Sequence, residues 1–246
     1  GEGTYTVAPD GTVTFVPEKS FTGKGTGVTV VRVDKNGTKA SATYTPTVTP
    51  VTPVATPAES VAPQGIVQTG TVTFTEGDPV APINKETITL LDENGQPATS
   101  VPAKNPAGDI IGTYTLKVVD GKATAVFTPT DKTYAGEVAP VTIQAKDTNG
   151  TPVTTTYTPN ITPVKPTAKG TTSEGAQGQE QSGTPTFTEG HEKAPIDPTV
   201  PAKLIDPATG QPTDQTTIPA KDANGKEVGT YTIDPTTGKV TFTPNK

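Results

Sequence analysis

The sequence predicts an all-β protein made of tandem antiparallel β-sandwich modules of immunoglobulin-like size, arranged as an elongated rod. Three observations predict this architecture. The chain of 246 residues contains 25 Gly and 27 Pro, which makes long helices improbable. Thr fills 52 positions, and this β-branched polar residue suits the solvent face of a strand. Blocks of sequence also recur at a fixed spacing, which indicates a repeat architecture.

Two independent blocks carry the repeat. "TYTPTVTPV" at Thr43–Val51 returns as "TYTPNITPV" at Thr156–Val164, and "VTFTEGDPVAPI" at Val72–Ile83 returns as "PTFTEGHEKAPI" at Pro185–Ile196. Both blocks are displaced by 113 residues, as the printed numbering shows. "GTYT" occurs three times, and the small differences in spacing between shorter motifs fall in predicted loops.

This phase divides the chain into three stretches. Residues 1–50 are the C-terminal half of one module, residues 51–163 are a complete module, and residues 164–246 are the first three-quarters of a third. Sequence phase alone does not define where a fold begins, so a boundary elsewhere in the period is the open alternative. Pro-rich Thr45–Gln64 and Gly/Gln-rich Thr167–Ser182 are predicted to be connections that contribute edge strands.

Strands and turns follow from local patterns. Apolar residues alternate with Thr, as Val72 and Phe74 do, which predicts half-buried strands. Six Asp-Gly or Asn-Gly dipeptides lie between such segments and predict antiparallel hairpins; they begin at Asp10, Asn36, Asn94, Asp120, Asn149 and Asn224. A module of this length with about seven strands fits a β-sandwich, although the immunoglobulin Cys and Trp pattern is absent.

Composition excludes several classes of site. The chain has no Cys, which excludes disulfides, thiolate metal sites and Cys nucleophiles, and His191 is its one His. A net charge of −6 with Arg32 as the single Arg argues against nucleic acid as a partner. No apolar run approaches the length of a membrane span, so we expect no membrane insertion of this segment.

The D-x-N-G motifs admit two interpretations. They occur at Asp34–Gly37, Asp147–Gly150 and Asp222–Gly225. Carboxylate and amide oxygens suit calcium, but the motif supplies fewer oxygens than the six to eight that a calcium loop needs. A hairpin turn is the favoured interpretation, and a weak cation site is the alternative.

Repeated carboxylates suggest a glycosidase-like pair, since Glu76 matches Glu189 and Asp92 matches Asp206. Their positions beside Gly, Asn or Pro favour loop roles instead. His191 replaces Asp78 of the preceding module, which predicts a solvated loop side chain.

A Lys–Asn isopeptide crosslink is disfavoured by the strand pattern. Lys117 is expected on the same face as Thr115, opposite the core side of its strand, and Asn160 on the face of Thr158 and Thr162. The aromatic residues all have counterparts in another module, so we predict that they lie in cores. They are Tyr5, Phe15, Phe21, Tyr44, Phe74, Tyr114, Phe127, Tyr134, Tyr157, Phe187, Tyr231 and Phe242.

The blocks "DGTVTFVP" at Asp10–Pro17, "FTGKGTGVTVVRVDKNGT" at Phe21–Thr38 and "ATYTPTVTP" at Ala42–Pro50, together with "GTYT", resemble the CshA-type fibril repeats of Gram-positive surface adhesins. The resemblance covers essentially the whole chain, although "KVVDGKATAVFTP" in the middle module is more divergent and the third module stops after "TFTP". It implies a cell-wall-anchored, extracellular fibrillar protein with many tandem modules, whose dedicated ligand-binding region lies outside the repeats.

The residues and the resemblance together favour a non-catalytic structural stalk that projects a distal binding region. We predict no catalytic, cofactor-binding or metal-binding residues, and neighbouring modules of the same chain as partners. The alternative is that the modules themselves bind a host glycoprotein or another bacterial surface, or self-associate. Because the cores are lean in aromatic residues, we expect marginal stability, lowest in the partial modules at either end.

Overall fold

Alternating Thr and apolar residues form β-strands throughout the chain, and no helix is present. The computed structural model describes all residues 1–246, which divide into two units, Gly1–Thr162 and Pro163–Lys246. The predicted all-β class is confirmed. The proposed division at residues 50 and 163 stays a prediction from the sequence phase.

Residues 1–48 form short antiparallel pairs. The strands are β1 (Gly3–Val7), β2 (Val13–Pro17), β3 (Gly23–Lys24), β4 (Val28–Val33), β5 (Lys39–Tyr44) and β6 (Thr47–Val48). β1 pairs with β2, β4 with β5 and β3 with β6. Only Gly25 and Pro46 are buried in this stretch, so the hairpins form with scarcely any core between them.

The rest of the first unit is a β-sandwich. Its strands are β7 (Val54–Thr56), β8 (Ala58–Pro63), β9 (Gln68–Thr75), β10 (Ile83–Leu91), β11 (Pro97–Ala98), β12 (Ser100–Lys104), β13 (Ile110–Val119), β14 (Lys122–Pro129), β15 (Gly136–Glu137), β16 (Val141–Asp147) and β17 (Pro152–Thr162). One sheet has the order β12-β13-β14-β9-β7, and the other has the order β11-β10-β16-β17-β15 with β8 beside β17. We call this stretch, residues 54–162, the central module.

Pro57 lies where the chain passes from one sheet to the other. β7 pairs with β9 in the first sheet, and β8 pairs with β17 in the second. Because Pro lacks an N–H donor, it suits this break between two edge strands. β8 and β17 run parallel, a departure from the otherwise antiparallel pattern that the hairpin signals predicted.

The two sheets enclose one hydrophobic core. Its largest fully buried apolar side chains are Tyr114, Tyr157, Phe127, Leu90, Ile111, Ile143 and Val72. They come from both sheets, and each strand contributes alternate residues, as the period-2 pattern requires. The sandwich prediction therefore holds for the central module.

The second unit has fewer and shorter strands. They are β18 (Thr167–Lys169), β19 (Gln181–Gly183), β20 (Thr186–Thr188), β21 (Leu204–Ile205), β22 (Pro212–Thr213), β23 (Thr217–Lys221), β24 (Glu227–Ile233) and β25 (Val240–Pro244). Its main sheet has the order β19-β25-β24-β23, and Ala220 and Ile233 are its only buried apolar side chains. This sheet repeats the β9-β14-β13-β12 part of the central module.

Candidate functional site

A hydrogen-bonded cluster around Tyr157 joins three strands of the central module. The Tyr157 hydroxyl lies 2.6 Å from Ser60 Oγ, and the Ser60 hydroxyl donates to Gln68 Oε1 at 2.7 Å. Gln68 Nε2 donates to the backbone carbonyl of Asn160 at 3.0 Å. Burial raises the pKa of the Tyr157 hydroxyl, so this group stays protonated and able to donate at neutral pH.

Gly70 makes room for the Tyr157 ring. A Cβ at position 70 would lie 2.4 Å from Tyr157 Cε1 and 3.1 Å from the Ala58 Cβ. Any side chain there would collide with a ring that is itself fully buried. Ser60, Gln68 and Gly70 thus form a cradle for one tyrosine, which we call the tyrosine cradle.

The same three residue types recur in the second unit. Ser173 donates to Gln181 Oε1 at 2.7 Å, as Ser60 does to Gln68. Gln181 pairs with Phe242 across the sheet, as Gln68 does with Phe127. Gly183 completes the set. No tyrosine lies against it, since a Cβ at Gly183 would meet only Thr171 within 4 Å.

A groove of about 540 Å³ lies between the two long hairpins of residues 1–48. Val13, Val30, Ala42 and Tyr44 line its apolar part, and Arg32 lines one end. The repeat offset aligns Val30 with Ile143 and Tyr44 with Tyr157, both fully buried in the central module. The groove is therefore the counterpart of a sandwich interior.

The D-x-N-G motifs form hairpin turns. In Asp34–Gly37 the Gly37 N–H donates to the Asp34 carbonyl, and Asp34 Oδ1 accepts the N–H groups of Asn36 and Thr38, both at 2.8 Å. Gly37 has φ 83°, the left-handed conformation that this turn with a bulge requires. Asp147 and Asp222 make the same bonds, so the turn itself occupies one carboxylate oxygen of each motif.

Asp120–Gly121 makes the other kind of hairpin turn. Both residues have positive φ, 51° and 78°, which is the two-residue turn predicted for such dipeptides. All six predicted dipeptides lie in turns that join paired strands. Asn105–Asp109 forms a further turn of the D-x-N-G kind, which the dipeptide search missed because Ala107 precedes its Gly.

Asp147 differs from Asp34 and Asp222 in its second oxygen. Asp147 is 2% exposed, and its Oδ2 is buried with no hydrogen-bond partner. No group of three or more His, Cys, Asp or Glu side chains is arranged to hold a metal ion. The structure thus offers a cation one carboxylate oxygen at this position rather than a ligand set.

The repeated carboxylates stay in separate loops. Asp92 Oδ1 accepts the N–H groups of Asn94 and Gln96, and Asp206 Oδ1 accepts that of Ala208. Glu76 and Glu189 are exposed. Each of these acids serves or borders a local turn, which is the loop role that the sequence favoured.

His191 takes over a capping role, and the prediction of a solvated side chain needs correction. His191 is half-buried, and its Nδ1 accepts the Lys193 N–H at 3.1 Å. Asp78 Oδ1 accepts the Val80 N–H at 2.9 Å in the corresponding turn. The imidazole nitrogen therefore replaces the carboxylate oxygen as the acceptor that closes this turn.

The side chains considered for a crosslink point to solvent. Lys117 and Asn160 are both exposed, as their strand positions predicted. Asn160 contributes to the Tyr157 cluster only through its backbone carbonyl.

The prediction that all aromatic residues are core residues is wrong for three of them. Tyr44 is 41% exposed, Phe187 60% and Tyr231 39%. Their counterparts in the central module are covered by strands of the opposite half, and residues 1–48 and 163–246 each contain only one of the two halves. Periodicity identified the inward face correctly, but burial needs a covering sheet.

The glycine of "GTYT" has the same cause in every copy. A Cβ at Gly3, Gly112 or Gly229 would approach the ring of the cross-strand Phe to 2.6–2.9 Å and a backbone carbonyl oxygen to 2.3–2.6 Å. The neighbouring Tyr pairs with the same Phe, and the ring centroids lie 4.7 Å apart for Tyr5–Phe15, 5.8 Å for Tyr114–Phe127 and 5.5 Å for Tyr231–Phe242. The motif thus encodes one local packing unit three times.

The sequence contained a signal for the tyrosine cradle that motif reasoning missed. Ser60, Gln68 and Gly70 each recur 113 residues later as Ser173, Gln181 and Gly183. Ser, Gln and Gly are common in loops, so the repetition reads as a linker composition. Only the structure shows that these residues surround one ring.

The chain matches a known family along its length. The model for the repetitive domain of the surface adhesin CshA matches residues 1–48, 50–161 and 163–246. No curated protein sequence matches the chain.

Solved structures of tandem adhesion domains are similar at low identity. The N-terminal eight Ig domains of Down syndrome cell adhesion molecule isoform 1.30.30 match at 13% identity and a TM-score of 0.29, covering 99% of this chain and 31% of that one. A tetra-tandem repeat in the extending region of a large adhesion protein matches at 15% and 0.27, covering 98% and 57%. Cadherin domains 1–5 of protocadherin gamma B2 match at 14% and 0.29, covering 99% and 44%. The chain spans about a third to just over half of these structures.

Proposed function

This chain belongs to the family of the CshA surface-adhesin repetitive domain, and from that membership we propose that it is a non-catalytic segment of an adhesin stalk. The stalk is anchored to a bacterial cell wall and projects a distal binding region from the surface. Its partners within the stalk are neighbouring repeat modules of the same protein. Repetition extends such a stalk in proportion to the number of modules.

One observation carries this proposal: the first and last parts of the central module are joined by a parallel strand pair. β8 pairs with β17 in six register positions, from Tyr157 opposite Ala58 to Thr162 opposite Pro63. Tension on a stalk pulls the N-terminal end of β8 and the C-terminal end of β17 in opposite directions. Because the strands are parallel, this tension shears their hydrogen bonds together instead of opening them one at a time.

The Tyr157 cluster reinforces the same pair. Ser60 lies on β8, Tyr157 on β17, and Gln68 of β9 contacts both strands. The side-chain hydrogen bonds therefore add to the backbone ladder where tension would act. A module of this kind suits a stalk, which has to transmit force from the adhesive tip to the wall.

Single-molecule pulling on the 246-residue chain tests the proposal. We expect one dominant unfolding event that releases the central module, whose 109 residues span at most about 370 Å when extended. Gln68→Ala should lower the force of that event, while the matched Gln181→Ala in the second unit should leave it unchanged. A trace without a resolved event of this length contradicts a tension-bearing stalk.

Small-angle scattering tests the shape that a stalk requires. We expect the profile of an elongated particle, because modules that contact only their sequence neighbours cannot collapse onto a shared core. A profile typical of one globule would contradict the proposal.

A second candidate function is favoured by one surface feature. A groove of about 430 Å³ on the central module places Val61, 67% exposed, among Glu59, Glu137 and Asn160. An exposed apolar side chain beside acidic ones suits a weak contact with a host glycoprotein or another bacterial surface. Val61→Ser should then reduce adhesion of particles coated with the chain to glycoprotein surfaces, whereas Val119→Ser, a similarly exposed position, should not.

A further inference from the structure

We propose that the second unit is a docking site for another copy of this chain, which inserts Tyr44 into the cradle formed by Ser173, Gln181 and Gly183. The inserting segment is residues 28–48, which contain β4, β5 and β6. This inference goes beyond the stalk function and does not rest on it.

The cradle in the second unit is already assembled. The Ser173–Gln181 hydrogen bond has the same length, 2.7 Å, as the Ser60–Gln68 bond that receives Tyr157. β19 holds Gln181 and Gly183 in the same cross-strand register on β25 as Gln68 and Gly70 have on β14. In the central module this arrangement binds the hydroxyl and the ring of a tyrosine.

The second unit contains no tyrosine that could fill its own cradle. Its one tyrosine, Tyr231, pairs with Phe242 as Tyr114 pairs with Phe127. Tyr114 is 1% exposed and makes an edge contact with Tyr157 at 6.1 Å between ring centroids, whereas Tyr231 is 39% exposed. A tyrosine in the cradle would cover Tyr231 in the same way.

Residues 28–48 carry the complementary half. Tyr44 lies opposite Val28 and, with Val30 and Ala42, on one face of the β4–β5 hairpin. The repeat offset aligns this face with Val141, Ile143, Thr155 and Tyr157. Residues 1–48 contain no Gln, so they have no cradle of their own. Each copy of the chain therefore presents an unfilled cradle and an uncovered tyrosine.

The backbone supports the same pairing. In the central module, residues 157–162 pair with β8, and the counterpart of β8 in the second unit is residues 171–176, which form no strand. We infer that residues 171–176 become an edge strand parallel to residues 44–49 of the docked copy. This is strand addition, in which main-chain bonds supply affinity and the tyrosine supplies specificity.

Docking requires the hairpin β1–β2 to move away from β4–β5, because β24–β25 would take its place. The bonds that hold it are exposed: the Thr26 N–H donates to Glu2 at 2.9 Å, and Arg32 Nη1 donates to the Asp10 carbonyl at 3.0 Å. Little burial is lost with them, since only Gly25 and Pro46 are buried in residues 1–48. Docking instead buries Tyr44 and Tyr231 together.

The contact is head-to-tail. The docking segment and the cradle are different surfaces of the chain, so each added copy leaves one of each uncovered. We therefore expect dimers and longer oligomers as the concentration rises.

Arg32 gives the proposal a sharp prediction. It aligns with Ala145, which is fully buried, so docking brings its guanidinium towards an apolar interior. Arg32→Ala should strengthen association about tenfold, because it removes this charge and frees β4 from Asp10.

Sedimentation velocity of the 246-residue chain over a range of concentrations is the first test. We expect Tyr44→Ala to weaken association at least tenfold and Tyr44→Phe, which loses only the hydroxyl, about fivefold. Gly183→Val should abolish it by filling the cradle. Val31→Ala, on the opposite face of the hairpin, and Gly170→Val, with no neighbour within 4 Å, are the matched controls and should associate normally.

A disulfide test reads the register, which the absence of Cys in the chain makes clean. Thr158 pairs with Glu59 in the central module, and their counterparts are Thr45 and Thr172. A mixture of Thr45→Cys and Thr172→Cys chains should form a mixed disulfide dimer, and a mixture with Thr38→Cys in place of Thr45→Cys should not. A monomer at every concentration, or association that Tyr44→Ala and Gly183→Val leave unchanged, would overturn the proposal.

Discussion

The central module and the segments around it contain the same motifs but bury them very differently. Tyr157 is fully buried, whereas Tyr44, in the same "TYTP" motif, is 41% exposed. Tyr114 is 1% exposed and Tyr231, in the same "GTYT" motif, 39%. The hairpins around these residues have the same cross-strand partners in each case.

The comparison teaches that a hairpin and a core have different requirements. A hairpin needs only its turn residues and neighbouring strand, so "DKNGT" and "DTNGT" form the same turn in both contexts. A core needs a second sheet over the first, and only the central module contains both halves. Local structure and burial therefore separate along this chain.

The largest expected effect is the loss of a buried ring. Tyr157→Ala should cost the central module about 3–5 kcal/mol, because it leaves a cavity between two sheets. Tyr44→Ala should cost under about 1 kcal/mol, since that ring is already partly in water. Urea unfolding followed by hydrogen exchange of peptides from residues 54–162 measures both. Equal losses would break the comparison.

Glycine substitutions should show a smaller contrast. Gly70→Ala places a Cβ 2.4 Å from the Tyr157 ring and should cost about 1–3 kcal/mol by overpacking. Gly183→Ala meets only the movable Thr171 side chain and should change stability by less than about 0.5 kcal/mol. Thermal unfolding of the two variants beside the parent chain gives the comparison directly.

Alkaline pH should act on the central module next. Burial raises the pKa of the Tyr114 and Tyr157 hydroxyls above the ordinary value of 10.0. A raised folded-state pKa stabilises fully below pH 10, and this contribution is lost as the pH rises through the folded-state value. The urea midpoint of residues 54–162 should therefore fall above pH 10, and tyrosinate absorbance should rise with unfolding. Ionisation of all six tyrosines before any unfolding would contradict this account.

The smallest effect should appear in acid, in residues 1–48. Hydrogen bonds from the Tyr5 hydroxyl and from Thr26 lower the pKa of Glu2 below its ordinary value of 4.5. Their stabilisation is present above pH 4.5 and is lost as the pH falls through the lowered value. Protection of the Thr26 amide from exchange should decline over that range. The Glu2→Gln chain should lack this pH dependence, and a decline that persists in it would assign the effect elsewhere.

The strands and turns were predictable because their causes are local. Alternation of Thr with Val or Phe defines the two faces of a strand, and the six Asp-Gly or Asn-Gly dipeptides mark turns that the structure contains. The parallel pairing of β8 with β17 was not predictable in this way. It joins residues about a hundred positions apart, and no short motif encodes such a pair.

The candidate site was less accessible from the sequence than the fold. His191 was placed correctly in a loop, but its capping bond to Lys193 depends on the conformation of the turn. Ser60, Gln68 and Gly70 look like linker residues until Tyr157 is placed among them. Repetition at 113 residues shows that a position matters in both copies, and geometry alone shows why.

The sequence by itself determined the repeat, the all-β class, the hairpins and the inward face of each strand, since these depend on neighbouring residues. Tertiary structure alone decided which inward faces are buried, because burial requires a covering sheet from distant sequence. It also decided that a serine, a glutamine and a glycine surround one tyrosine, because that arrangement exists only when three strands meet.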